Sequence, residues 1–319
     1  MKFKDYIVDR YKSVIFARRD PDRAVHQFSY KDFPGLVCEE YNLVSPNGKI
    51  SGCFYYYAGY APDRLIVFEH GMGAGHRAYM REIEHICSIG YRIFTYDHIG
   101  TSLSEGKGMR GLSGSICDLD FVIGALRRDE ALSRLRFDVI GHSWGGFSAM
   151  TISHFHGDIE HIVAMSGFVS VKTLQAQITP PIFKKYRDEL FALESAENPG
   201  YASLSALDVL EKTNSKVLII HSKDDKTVNY NLHFMPLFEK FKDKSNISFL
   251  TLERKNHNPT YTVEAAKYKE AFFKKLKFRR RFCKKDPSFD EKFRTSFDFY
   301  KMTEQDSFVF DRIKEFLES

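Results

Sequence analysis

Residues Phe137-Asp-Val-Ile-Gly-His-Ser-Trp-Gly-Gly-Phe147 decide how this chain is read. A short apolar run (Phe137, Val139, Ile140) meets Gly141-His142-Ser143-Trp144-Gly145, and an apolar helical pattern follows at once. This is the strand–turn–helix setting in which G-x-S-x-G presents a nucleophilic serine. The turn is sharp enough to strain the serine at its apex. Glycine two positions before and two after it removes the Cβ atoms that would collide there. The spacing therefore predicts an exposed Ser143 hydroxyl above the start of a helix. Five residues can match such a pattern by chance, so the rest of the chain must supply a loop of backbone donors, an acid and a histidine.

Arg64-Leu-Ile-Val-Phe-Glu69 is an apolar, β-rich run that leads into His70-Gly71-Met72-Gly73-Ala74-Gly75. Three glycines in five residues let the backbone pass close to a ligand. The His-Gly pair directly after a strand resembles the oxyanion loop of the α/β-hydrolases. Arg92-Ile-Phe-Thr-Tyr-Asp97-His-Ile-Gly100-Thr-Ser102-Leu-Ser104 is similar to that superfamily's D-x-x-G-x-G-x-S stretch, with Ser102 in place of the second glycine. It reads as a structural loop. Asp97 precedes Ser143, and the order serine, acid, histidine argues against it as the acid.

The resemblance then directs attention to two later strand ends. Lys216-Val-Leu-Ile-Ile220 runs into His221-Ser-Lys-Asp224-Asp225-Lys-Thr-Val228. Against the superfamily's G-x-x-D-x-x-V loop, Ser222 stands at the glycine, Asp225 at the acid and Val228 at the apolar anchor. Asp225 is preferred to Asp224, which reads as a turn residue or helix N-cap. Asn246-Ile-Ser-Phe-Leu-Thr-Leu252 alternates as a strand, and Glu253-Arg-Lys-Asn-His257-Asn-Pro259 breaks it. Pro259 biases Asn258 away from helix, which leaves His257 in a loop. His221, His142 and His70 also lie near the motifs, but each flanks a strand end instead of following the acid. The resemblance implies Ser143, Asp225 and His257 as catalytic residues, with the backbone N–H groups of Met72 and Trp144 as the oxyanion hole. It also implies ester hydrolysis through an acyl-serine, without cofactor or metal. Within the superfamily, the pattern resembles in particular the group with monoglyceride lipases, lysophospholipases and serine aminopeptidase-like members. A thioesterase, an acyltransferase or an aminopeptidase would use the same residues, and a binding protein with a retired site is the non-enzymatic alternative. For an aminopeptidase, Glu194 and Glu197 are the acidic groups available to hold a substrate amine.

With 319 residues, 43% of them hydrophobic, the chain can bury a large core. Helical segments at 76–89, 115–128, 145–156 and 229–242 alternate with strands. That alternation predicts an α/β fold: a mostly parallel twisted sheet of about eight strands with helices on both faces. Gly90 reads as a helix C-cap. Stretches 36–44 and 49–57 read as an antiparallel hairpin turned at Pro46-Asn47-Gly48. Residues 1–167 and 213–319 form the expected core domain, and 168–212 a small helical cap. Within the cap, Phe168, Ile182 and Phe183 are the candidate lining of an apolar acyl pocket, although ordinary core packing serves such residues equally well. Phe308 to Leu317 has helical spacing and is expected to close the fold.

No run of about 18 apolar residues occurs, and the charged N-terminus lacks a signal-peptide core. Five scattered cysteines without metal spacing fit reduced thiols, and so a cytoplasmic protein. Net charge is only +5, and no nucleic-acid-binding motif appears. Residues 267–285 nevertheless interleave lysines and arginines with phenylalanines. A solvated helix face accounts for this pattern. Weak contact with anionic lipid is the sharper reading.

Overall fold

The computed structural model describes residues 3–73, 75–282 and 289–319. Among the described residues, ten strands follow in order: β1 (Val37–Glu40), β2 (Leu43–Ser45), β3 (Gly48–Ile50), β4 (Gly52–Tyr56), β5 (Arg64–Glu69), β6 (Ile93–Tyr96), β7 (Arg136–His142), β8 (His161–Met165), β9 (Lys216–Ser222) and β10 (Ile247–Leu252). Eight of them form one sheet in the order β1-β4-β6-β5-β7-β8-β9-β10. All pairings from β6 to β10 are parallel, and β1 and β4 add an antiparallel edge.

Side chains of a strand point alternately to opposite faces, and here both faces are covered. On β5, Leu65 and Val67 enter one core, while Ile66 and Phe68 enter the other. The first core holds Ile116, Leu119 and Val122 of the helix Gly114–Arg128, with Phe147 and Met150 of the helix Trp144–Thr151. The second holds Ile83 and Ile86 of Met80–Ser88, Phe272 and Leu276 of Val263–Phe282, and Val309, Phe310 and Ile313 of Ser307–Leu317. Strands β5, β6 and β8 are buried along their whole length, as expected of a covered parallel sheet. Among the described residues, no helix is long and apolar enough to cross a membrane.

Two elements differ from their expected form. The hairpin of 36–57 is divided: β1 pairs with β4 in the main sheet, and β2 pairs with β3 in a separate two-stranded sheet. The loop after β6 competes for the backbone at the junction, because Glu105 N–H donates to Lys49 O and Asp97 N–H to Ser51 O, both at 2.9 Å. The helix expected over 229–242 is split into Tyr230–His233 and Met235–Phe241. Pro236 has no N–H to continue the ladder, so the chain restarts with proline in the first turn.

The segment 168–212 carries the helices Val171–Ile178, Arg187–Glu197 and Ala206–Lys212. Phe168 is only 1% exposed and its ring stacks on Phe147. Phe183 is partly buried against the same core, and Ile182 is 77% exposed. Phe168 is thus a core residue and Ile182 a solvent-facing one, so these three do not form one pocket wall.

Candidate active site

Ser143 sits between the end of β7 and the start of the helix Trp144–Thr151, at φ 58° and ψ −110°. A positive φ is strained for a residue with a side chain. Its surroundings enforce it. A Cβ on Gly141 would lie 2.1 Å from Gly145 O, and one on Gly145 would lie 2.4 Å from Glu69 O. The backbone is locked from the other side by Ser143 N–H donating to Met165 O at 2.8 Å.

The loop after β10 carries His257 to this elbow. Its Nε2 lies 2.8 Å from Ser143 Oγ, and its Nδ1 lies 2.7 Å from Asp225 Oδ2. Residues 143 and 257 are 114 positions apart in the chain. Asp225, on the loop after β9, is buried. Its Oδ1 accepts from the N–H groups of Thr227 and Val228 at 2.8 and 3.0 Å. Burial pushes its pKa up. His221 and His257 beside it, with the Val228 amide, outweigh that and hold the carboxyl well below the usual range. An ionised Asp225 selects the His257 tautomer with hydrogen on Nδ1, which leaves Nε2 free to accept the serine proton. Asp224 has another job. It accepts from Ser222 Oγ and from Asn256 N–H, and so ties the acid's loop to the histidine's. His221 stands behind Asp225, with Nε2 2.9 Å from Val228 O and 3.3 Å from Asp225 Oδ2.

The glycine-rich loop packs directly on the elbow: a Cβ on Gly71 would lie 3.3 Å from that of Ser143. Trp144 opens the helix, with its indole N–H anchored on Leu112 O at 2.7 Å. Among the described residues, none accepts from the backbone N–H of Met72 or of Trp144. Asp97 lies away from the serine. It accepts from His76 N–H and Nδ1, both at 2.8 Å, and from Leu103 N–H, and fastens the loop after β6.

One part of the site escaped the sequence. Gly71 N–H donates to Tyr79 Oη at 3.0 Å, Tyr79 O–H donates to His142 Nδ1 at 2.8 Å, and His142 Nε2–H donates to the His257 carbonyl at 2.6 Å. The donors and acceptors agree only if His142 is neutral. Burial, with His257 close by, pushes its pKa down to about 3. A single line of hydrogen bonds therefore joins the glycine loop, the elbow and the histidine loop. A tyrosine nine residues after His70 carries no motif, so no sequence signal singles it out.

The acidic pair of the helix Arg187–Glu197 is already engaged. Glu194 is fully buried and accepts from Leu112 N–H at 2.8 Å, Ser113 N–H at 3.4 Å and Tyr11 O–H at 2.7 Å, ahead of the helix Gly114–Arg128. Glu197 faces Arg110 at 3.5 Å. Among the described residues, Asp138, Glu160 and His161 cluster closely enough for a metal ion. The Arg64 guanidinium already fills that role, 3.0 Å from Asp138 and 2.8 Å from His161 Nδ1.

Residues 60–195 match the model of a family described as serine aminopeptidase, S33. Human monoglyceride lipase is 26% identical over 155 residues, which cover 47% of this chain and 47% of that protein. The mouse monoglyceride lipase is 27% identical over 160 residues, 48% and 47% of the two chains. The chain thus spans about half the length of the curated relatives it matches. Among solved structures, an esterase of Pyrococcus furiosus superposes with a TM-score of 0.58 at 20% identity, over 83% of this chain and 96% of that one. Acetyl xylan esterase 1 of Thermoanaerobacterium gives 0.56 at 13% identity, over 87% and 92%. The sheet order and these likenesses show that the chain has the α/β-hydrolase fold. Within it, the matched sequence resembles the serine hydrolase group that includes the monoglyceride lipases.

Proposed function

We propose that this protein is a serine hydrolase that cleaves carboxylic esters, with Ser143 as nucleophile, His257 as general base and acid, and Asp225 as the carboxylate that orients it. The observation that carries the reading is the unbroken line from Ser143 Oγ through the His257 ring to Asp225. A serine hydroxyl attacks poorly unless a base removes its proton as the bond forms. Ser143 Oγ attacks the ester carbonyl carbon while its proton passes to His257 Nε2. The N–H groups of Met72 and Trp144 receive the developing oxyanion, an interaction for which each such donor contributes roughly 3 kcal/mol. The tetrahedral intermediate collapses, His257 returns the proton to the leaving alkoxide, and acyl-Ser143 remains. Water, deprotonated by His257, attacks the acyl carbon by the same route and frees Ser143.

Relatives named as lipases and esterases support an ester as the bond broken. The family description favours an aminopeptidase, which needs an accessible carboxylate for the substrate amine. The two candidates, Glu194 and Glu197, are engaged by backbone amides and by Arg110. We read 168–212 as the cap over the site. The four described cysteines are free, which suits a reducing, cytoplasmic setting.

A fluorophosphonate probe is expected to label the wild type, to leave Ser143→Ala unlabelled and to label His257→Ala far more slowly. A panel of p-nitrophenyl esters from short to long chain, with a thioester and an aminoacyl anilide included, defines the bond. Persistent labelling without Ser143 would falsify the nucleophile, and turnover of the anilide alone would overturn the ester.

A further inference from the structure

The helix Val263–Phe282 is about 30 Å long and carries apolar residues on two opposite faces. At 100° per residue, Ala265, Phe272 and Leu276 share the inner face, and all three are buried. Phe278 and Phe282 lie one turn apart on the outer face and are 64% and 69% exposed, with ring centroids 5.0 Å apart. Phe273, 42% exposed, lies instead beside the inner row, its ring centroid 5.1 Å from that of Phe272. Packing against the domain accounts for the inner set and leaves the outer set without a role.

The charge around the outer rings is of one sign. Lys274, Lys277, Arg279 and Arg281 are exposed there. Among the described residues, no carboxylate pairs with any of them. Arg280 alone is neutralised: it turns towards the body of the domain and is held by Asp22 and Asp290 at 2.7 and 2.8 Å. The two exposed acids of the helix, Glu264 and Glu270, lie two turns or more earlier, and Asn256 Nδ2 donates to Glu270 at 3.4 Å. Lys284 and Lys285, which extend the basic run in the sequence, lie outside the described residues.

We propose that the outer face of this helix docks on an anionic lipid surface, with Phe278 and Phe282 inserted below the headgroups and Lys274, Lys277 and Arg281 set against them. Phenylalanine prefers the headgroup–acyl boundary, and cations within a Debye length of an anionic leaflet each add to binding. A polyanion such as nucleic acid satisfies the cations but offers no apolar layer for the two rings. The same helix also touches the site. Lys269 Nζ donates to Asn258 Oδ1 at 2.8 Å, and Glu270 accepts from Asn256, so the residues on either side of His257 are tied to it.

The test is flotation of the full chain, carrying Ser143→Ala so that binding is read apart from catalysis. Vesicles of phosphatidylcholine are compared with vesicles containing a third of phosphatidylglycerol. Binding is expected on the anionic vesicles and weakly or not at all on the neutral ones. The triple variant K274E/K277E/R281E should reduce partitioning by about a hundredfold or more. The double variant F278S/F282S keeps every charge and should still reduce it by about tenfold or more. On the Ser143 background, both variants should retain wild-type hydrolysis of p-nitrophenyl acetate and unchanged melting. Undiminished vesicle binding by the phenylalanine variant overturns the proposal. So does tighter binding to a duplex oligonucleotide than to vesicles, or a dimer that is lost in F278S/F282S while vesicle binding is absent.

Discussion

At the scale of single residues, the two adjacent aspartates after β9 divide their work by which atoms they reach. Asp225 faces the His257 ring, and Asp224 braces the loop beneath it. Asp225→Asn should therefore leave the fold intact and lower kcat by about 10³–10⁴-fold, by presenting the wrong partner to Nδ1. Asp224→Asn should cost under about tenfold, because only a bracing hydrogen bond is altered. Steady-state kinetics on one p-nitrophenyl ester compares the two directly, and equal losses would remove the assignment. Tyr79 offers a second check. Tyr79→Phe leaves the buried Gly71 N–H and His142 Nδ1 without partners, at about 1–3 kcal/mol each. Activity should fall by about ten- to a hundredfold, with KM nearly unchanged, since the loss lies in how the loop and the elbow are held. A wild-type kcat in Tyr79→Phe would show that the line of hydrogen bonds does not govern the site.

At the scale of elements, Glu194 joins the segment 168–212 to the body of the domain. Its carboxylate meets the N-terminal end of the helix Gly114–Arg128, where free N–H groups and the helix dipole favour a negative charge. Burial pushes its pKa up, although the Leu112 and Ser113 amides and Tyr11 pull the other way. Glu194→Ala strands those donors and should destabilise the protein by about 3 kcal/mol or more. A chemical denaturation curve measures this. Glu194→Gln, which keeps an acceptor, should retain ester hydrolysis. From the sequence, Glu194 was a candidate for gripping a substrate amine, and the pattern of the helix gave no warning of its true contact. Its partner amide is 82 residues away. The elbow behaves differently. Its glycines, its strand and its helix lie within sixteen consecutive residues, so its geometry follows from local sterics and could be read directly.

At the scale of the whole molecule, charge is buried in the middle of the fold. His98 lies between Glu69 and Asp118, 3.3 Å from each. Burial alone would lower its pKa, but the two carboxylates raise it to about 9. A histidine raised above its unfolded value near 6.5 contributes stability that is fully present below that value and is lost as pH climbs through 9. Melting temperature should therefore decline between about pH 6.5 and 9, and His98→Gln should flatten that decline. Asp225 acts in the opposite sense. Its depressed carboxyl contributes above about pH 4 and fades as pH falls through the folded value.

The alternation of strands and helices and the strained serine turn can be read from the sequence alone, because they depend on side-chain periodicity and on steric conflicts within a few neighbouring residues. The choice of Asp225 and His257 came instead from the resemblance to the α/β-hydrolases. Only the tertiary structure decided that Phe168 belongs to the core, that Glu194 serves a helix end and that Tyr79 and His142 bind three loops together. Those contacts join parts of the chain that are remote in sequence. Which remote groups meet depends on how the covered sheet stacks its helices, and no local pattern records it.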